Sequence, residues 1–160
     1  MPKPVIVIRK LEDSPDWLDR RLPGAYLSAI YRVCFPADET GTQVAFDLRP
    51  GSRHPGAFGR WLRAQRFDCY AVITAWNPAS VLFPTEENRQ QNERLGSDLR
   101  DVSSCILPGV NLGTDGSWPE EESFFAFGIS AGQAIFLGRK YRQNAIVWWR
   151  RHQTPELWWL

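Results

Sequence analysis

The chain has 160 residues, 43% apolar and 23% charged, with 19 basic against 18 acidic residues and a net charge of +1. That length suits one domain with its own core, and the composition excludes a disordered or fibrous chain. The near-neutral balance excludes a global field for anionic surfaces, so nucleic acid is not an expected partner. No apolar stretch approaches the roughly 20 residues that a bilayer crossing needs, so no membrane partner is expected.

Residues 1–24 read as a polar, proline-bearing lead-in and 25–160 as a single domain. Within the lead-in, Val5 to Ile8 is a candidate edge strand. Asp16 to Leu22 is a candidate short helix, with Ser14 as N-cap and Pro15 at its first position, broken by Pro23-Gly24. Tyr31 to Phe35 and Thr42 to Leu48 alternate around the turn Pro36 to Gly41 and predict a hairpin. Ala57 to Gln65 carries Phe58, Trp61 and Leu62 at helical spacing. Cys69 to Ala75 is nearly all apolar and reads as a central strand covered on both faces.

Thr85 to Val102 reads as a helix, with Glu86 and Glu87 at the positive end of its dipole. Its apolar stripe is Leu95, Leu99 and Val102, and the same face extends back through Asn92 and Asn88. The inward face is therefore apolar in one half and amide-bearing in the other. Cys105 to Leu107 predicts a short strand and Pro108 to Trp118 a loop. Phe124 to Ile129 predicts a strand, Ala131 to Tyr141 a helix capped by Ser130, and Asn144 to Trp149 and Glu156 to Leu160 two last strands. The fold class is α+β: a mixed sheet of five to seven strands packed with about three helices. Its predicted core includes Val72, Ile73, Phe125, Phe127, Ile146 and Trp148.

The motif that draws most attention is Thr74-Ala-Trp-Asn-Pro-Ala-Ser80. It delivers polar residues to the mouth of an apolar strand, where α/β proteins commonly place a site. Together with Glu87-Asn88, Gly113-x-Asp-Gly-x-Trp118, Glu121-x-Ser123, Gly128-Ile-Ser130 and Gln143-Asn-Ala-Ile-Val147, it resembles the bacterial domain-of-unknown-function family 3293. The resemblance runs from about Ala25 to Leu160. It implies a small stand-alone cytoplasmic domain and carries no activity with it. Two departures are visible: Arg49 is followed by Pro50-Gly51 rather than Ile-Gly, and Tyr141-Arg142 stands where the family pattern has Phe-Gly.

The candidate ligand-binding residues are Thr74, Trp76, Asn77, Ser80, Asn88, Trp118, Ser123 and Gln143. Amides and hydroxyls present donors and acceptors together and suit a base edge, a peptide group or a sugar. Glu121 is the one acid–base candidate inside a motif. His54 and His152 fall in predicted turns and read as solvated, and Cys69 begins its strand at the far end from the polar mouth. Cys34, Cys69 and Cys105 are odd in number and widely spaced, which fits free thiols in a reducing cytosol. Neither a metal nor a cofactor is expected.

A packing role competes with every candidate, because Asn, Gln and Ser also shape turns and satisfy buried backbone. Three functional readings stand open. The first is binding of a small polar or nucleotide-like ligand, with Trp76 or Trp118 stacking on it. The second is a hydrolase or transferase with Glu121 as base. The third is a homodimer formed through the C-terminal strands, where Trp148, Trp149, Trp158 and Trp159 lie. The ligand readings expect Asn77, Asn88, Glu121, Ser123 and Gln143 to meet at one end of the sheet.

Overall fold

The apolar run at Cys69–Ile73 forms a strand, β4, inside one eight-stranded sheet; the computed structural model describes residues 1–160. In chain order the strands are β1 (Ile6–Ile8), β2 (Ile30–Cys34), β3 (Ala45–Leu48), β4, β5 (Cys105–Leu112), β6 (Glu121–Phe127), β7 (Ala145–Arg150) and β8 (Glu156–Trp159). The helices are α1 (Arg21–Ser28), α2 (Gly56–Ala64), α3 (Thr85–Val102) and α4 (Ala131–Lys140). Single 3₁₀ turns lie at Leu11–Asp13 and Pro78–Ser80. The strand order is β1-β8-β7-β4-β6-β5-β2-β3.

The α+β class holds, and the predicted detail changes in three ways. The sheet has eight strands rather than five to seven, there are four helices rather than about three, and every strand pairing is antiparallel rather than mixed. The helical crossovers suggested parallel neighbours. The connections β4–α3–β5 and β6–α4–β7 do join strands running the same way. But β6 lies between β4 and β5, and β4 lies between β6 and β7, so each immediate neighbour runs opposite.

β5 also runs to Leu112, where a loop from Pro108 was expected. Pro108 falls just outside the β2 pairing, so β5 has a neighbour on one side alone there and tolerates the missing N–H. At Gly109 a Cβ would stand 2.8 Å from the Arg32 carbonyl oxygen and 2.9 Å from the Phe125 ring, so close approach requires glycine. The predicted break at Pro23-Gly24 is instead the first turn of α1, where a missing proline N–H costs no helical bond. The Gly24 N–H reaches Arg20 O at 3.0 Å.

The sheet is covered on both faces. On one, Tyr31, Val33, Tyr70, Val72, Phe125 and Phe127 pack with Phe58 and Leu62 of α2. On the other, Ala71, Ile73, Ala126 and Ile146 pack with Leu95 and Leu99 of α3 and Ala134 and Leu137 of α4. The six predicted core residues are all buried. α1 lies over β1, β8 and β7, placing Tyr26 and Leu27 against Ile8, Leu157 and Trp159. β1 pairs along β8, with Ile6 opposite Trp159 and Ile8 opposite Leu157. The three cysteines are free and half-buried. No helix is long and apolar enough to cross a membrane.

Candidate functional site

On the α2 face of β6 the alternate residues are Phe127, Phe125, Ser123 and Glu121, opposite Cys105, Leu107, Gly109 and Asn111 of β5. Bulk falls along the strand pair, from aromatic core to polar and small side chains. At the thin end Tyr31, Asn111 and Glu121 stand opposite one another across β2, β5 and β6. α1 crosses above this row and the Gly113–Trp118 loop flanks it. Between them lies a cavity of about 240 Å³, walled by Leu22, Ala25, Tyr26, Tyr31 and Trp118 among others.

The polar side of the cavity is the loop after β4. Asn77, Ala79 and Ser80 take left-handed backbone angles, with φ of +44°, +54° and +57°. Non-glycine residues adopt this region at a cost of about 1–2 kcal/mol each, so the surroundings must hold them. α3 supplies the hold. The Asn77 N–H donates to Asn88 Oδ1 at 2.8 Å, and Asn88 Nδ2 donates back to Asn77 Oδ1 at 2.8 Å. One turn on, Asn92 Oδ1 accepts from the Ala75 N–H at 2.9 Å, and its Nδ2 donates to Glu122 O. Thr74 Oγ1 donates to Glu122 O and accepts from the Trp76 N–H. The Ala79 N–H donates to Arg142 O, which ties the loop to the end of α4.

This frame aims Asn77 at Glu121. Asn77 Nδ2 donates to Glu121 Oε1 at 3.1 Å, and Trp118 Nε1 donates to the same oxygen at 2.7 Å. Glu121 Oε2 has no hydrogen-bond partner within the chain. Burial pushes the Glu121 carboxyl above its ordinary value, against the opposing pull of the bonds from Trp118 and Asn77. Nearby, Ser80 Oγ meets the Tyr26 hydroxyl at 2.8 Å and accepts from Asn144 Nδ2 at 2.9 Å. Burial raises the Tyr26 hydroxyl and, more strongly, that of Tyr31. Gln143 Nε2 donates to Trp76 O at 3.3 Å.

Of the residues singled out in the sequence, Asn77, Ser80, Trp118, Glu121 and Gln143 line the cavity. Thr74, Trp76 and Asn88 lie behind it and build the loop, and Ser123 is buried one step deeper along β6 with its Oγ unpaired. Sequence reasoning missed Tyr26, Tyr31 and Asn111 as cavity residues. Asn111 was hidden in the supposed loop, although Leu107, Gly109 and Asn111 alternate on one strand face. The two tyrosines carried no motif signal, and Tyr26 also packs edge-on against Trp159.

His54 is not solvated as expected. Its Nε2 meets the Tyr70 hydroxyl at 2.8 Å, and its ring lies among Phe58, Tyr70 and Trp149 at the other end of the sheet face. Burial pushes its pKa down to about 4. No group of three or more His, Cys, Asp and Glu side chains is placed to hold a metal ion.

Fold and site together define an α+β domain in which one sheet face is part aromatic core and part open cavity. The family model "Protein of unknown function (DUF3293)" matches residues 73–146, which supports placing the chain in the family its motifs resemble. The matched segment carries Asn77, Asn88, Asn111, Trp118, Glu121 and Gln143, whereas Tyr26 and Tyr31 come from outside it. No curated protein and no solved structure matches the chain.

Proposed function

We propose that this chain binds a small polar organic molecule in the cavity beneath α1, with Glu121 as its principal polar contact. One observation carries the reading. A carboxylate is fixed on one oxygen by Trp118 and Asn77, while its second oxygen has no partner and its side chain lines an apolar-walled cavity. Apolar walls with a few convergent polar groups are the usual make-up of small-molecule sites. At about 240 Å³ the cavity lies below the roughly 300–1,000 Å³ of drug-sized pockets and suits a metabolite fragment. Strained backbone held by α3 beside that carboxylate fits a pre-organised site.

Screening of polar metabolites by thermal shift and calorimetry tests the reading. A saturable ligand should raise the melting temperature of the wild type and not that of Ala25→Trp, which fills the cavity from α1. Failure of every chemical class to bind would end it.

The same carboxylate supports a second reading, a hydrolase or transferase with Glu121 as general base. Its upward-shifted pKa is the supporting observation, since catalytic carboxylates are commonly tuned this way. Turnover of a bound compound that Glu121→Gln abolishes would favour it over simple binding. No observation favours the dimer reading: β1 pairs along the outer edge of β8, and Trp159 packs with Tyr26 of α1.

A further inference from the structure

We infer that the ligand of this cavity is a small organic cation, a primary amine or guanidinium on an apolar stem, and not a phosphate- or carboxylate-bearing metabolite. The inference rests on the proposed binding role and goes on to name the chemistry.

The cavity lining contains two carboxylates, Asp115 and Glu121, and no Lys, Arg or His. Glu121 has no ion-pair partner anywhere in the chain; the only hydrogen bonds to its carboxylate come from the neutral donors of Trp118 and Asn77. A part-buried carboxylate without a cation is costly, and a ligand that covers it raises that cost unless it brings positive charge. Asp115 adds a second negative charge at the rim. Its Oδ1 is already held by the Ser117 N–H and hydroxyl, which lower its pKa and keep it ionised.

Two further features fit a cation. Tyr26, Tyr31 and Trp118 place aromatic side chains in the wall, and ring faces attract ammonium and guanidinium groups. The Asn111 side chain, directly across from Glu121, makes no hydrogen bond in the chain, and its Oδ1 is buried and unpaired. An unpaired amide oxygen in the cavity lining supplies a second acceptor beside the carboxylate, which matches the several N–H donors of an amine or guanidinium. An anion in the same place would face both carboxylates with no donor cation. The basic residues Lys3, Arg139 and Arg142 line a separate cavity beyond Gln143.

The test uses compounds of one shape and different charge: 2-phenylethylamine, 2-phenylethylguanidine, 2-phenylethanol and 3-phenylpropionate, measured by calorimetry on the full chain. The amine and the guanidine should bind roughly tenfold or more tighter than the alcohol, and the propionate weakest of all. Glu121→Gln should remove most of that preference and leave the alcohol's affinity within about twofold. The variant is expected to fold, because its amide oxygen still accepts from Trp118 and Asn77. Asp115→Asn, at the exposed rim, should cost the cations a smaller factor of about two to three. Equal affinity for the alcohol and the cations, or tighter binding of the propionate, would overturn the cation inference while leaving a binding cavity in place. Absence of binding by all four, together with no shift across the metabolite screen, would remove the binding reading itself.

Discussion

The two ends of the α2 sheet face use the same strands to opposite effect. Under α2, Phe125 and Phe127 of β6 and Tyr70 of β4 interlock with Phe58 and Trp149, and the face is full. Under α1, two residues further along β6 and β5, Ser123, Glu121, Gly109 and Asn111 leave room for a cavity. Each end holds part-buried polar groups. At the full end His54 and Tyr70 satisfy each other. At the open end Glu121 is held on one oxygen only and Asn111 on none. A closed polar pair contributes to a unique core, whereas open valences leave capacity for something else to bind.

The largest contrast should come from truncation. Phe125→Ala at the full end should destabilise the fold by about 3–5 kcal/mol, since a fully buried aromatic is lost and a void left. Leu22→Ala, on a cavity wall and 38% exposed, should cost less than about 1 kcal/mol. Equilibrium urea denaturation of both variants measures the gap. Comparable losses would mean that the two ends are not different in kind.

Asn88→Ala sharpens the same contrast from behind the cavity. It strips a partner from the Asn77 N–H and another from Asn77 Oδ1, in a loop already held at left-handed angles. The expected loss is about 2–3 kcal/mol, because a buried unsatisfied donor costs its full desolvation. An unchanged denaturation midpoint would show that α3 does not hold this loop.

Acid should strike the full end. His54 has its folded pKa pushed down to about 4 from an ordinary 6.5, so the unfolded chain binds the extra proton between those values. Its stabilising contribution is complete above about pH 6.5 and declines as the pH falls toward 4. Melting temperatures of the wild type and of His54→Gln across that window should converge as the pH drops. A wild-type profile parallel to the variant's would remove His54 from the account.

The smallest effect is expected at Glu121. Burial raises its folded pKa, so this group favours the folded state most below the ordinary value of 4.5 and less as the pH rises through the folded value. Glu121→Gln should therefore melt at or slightly above the wild-type temperature at pH 7. A clear loss of stability would mark the carboxylate as part of the structural frame rather than an open valence.

Much of the chain was legible where periodicity is local. The boundaries of α3 and its mixed stripe could be read directly, because Leu95 and Leu99 recur at helical spacing with Asn92 and Asn88 on the same face. The meaning of those amides was not. Asn88 was a candidate ligand group, yet it spends its hydrogen-bonding capacity on Asn77 and Phe83. His54 was misplaced for a related reason: a polar residue in a Pro- and Gly-rich segment looks solvated until its partner, Tyr70, is brought from another strand.

Local chemistry in the sequence determined most of the strands and helices, the six core residues named from it, and that a polar loop follows β4; it misplaced α1, expected at Asp16 to Leu22 and found at Arg21–Ser28. Tertiary structure alone decided that β6 enters between β4 and β5, that Pro108-Gly109 continues a strand, and that Tyr31, Asn111 and Glu121 form one row. The cavity belongs to the second group. It is a space between α1, β2, β5 and β6, and its existence depends on register between segments up to about ninety residues apart, which no local propensity encodes.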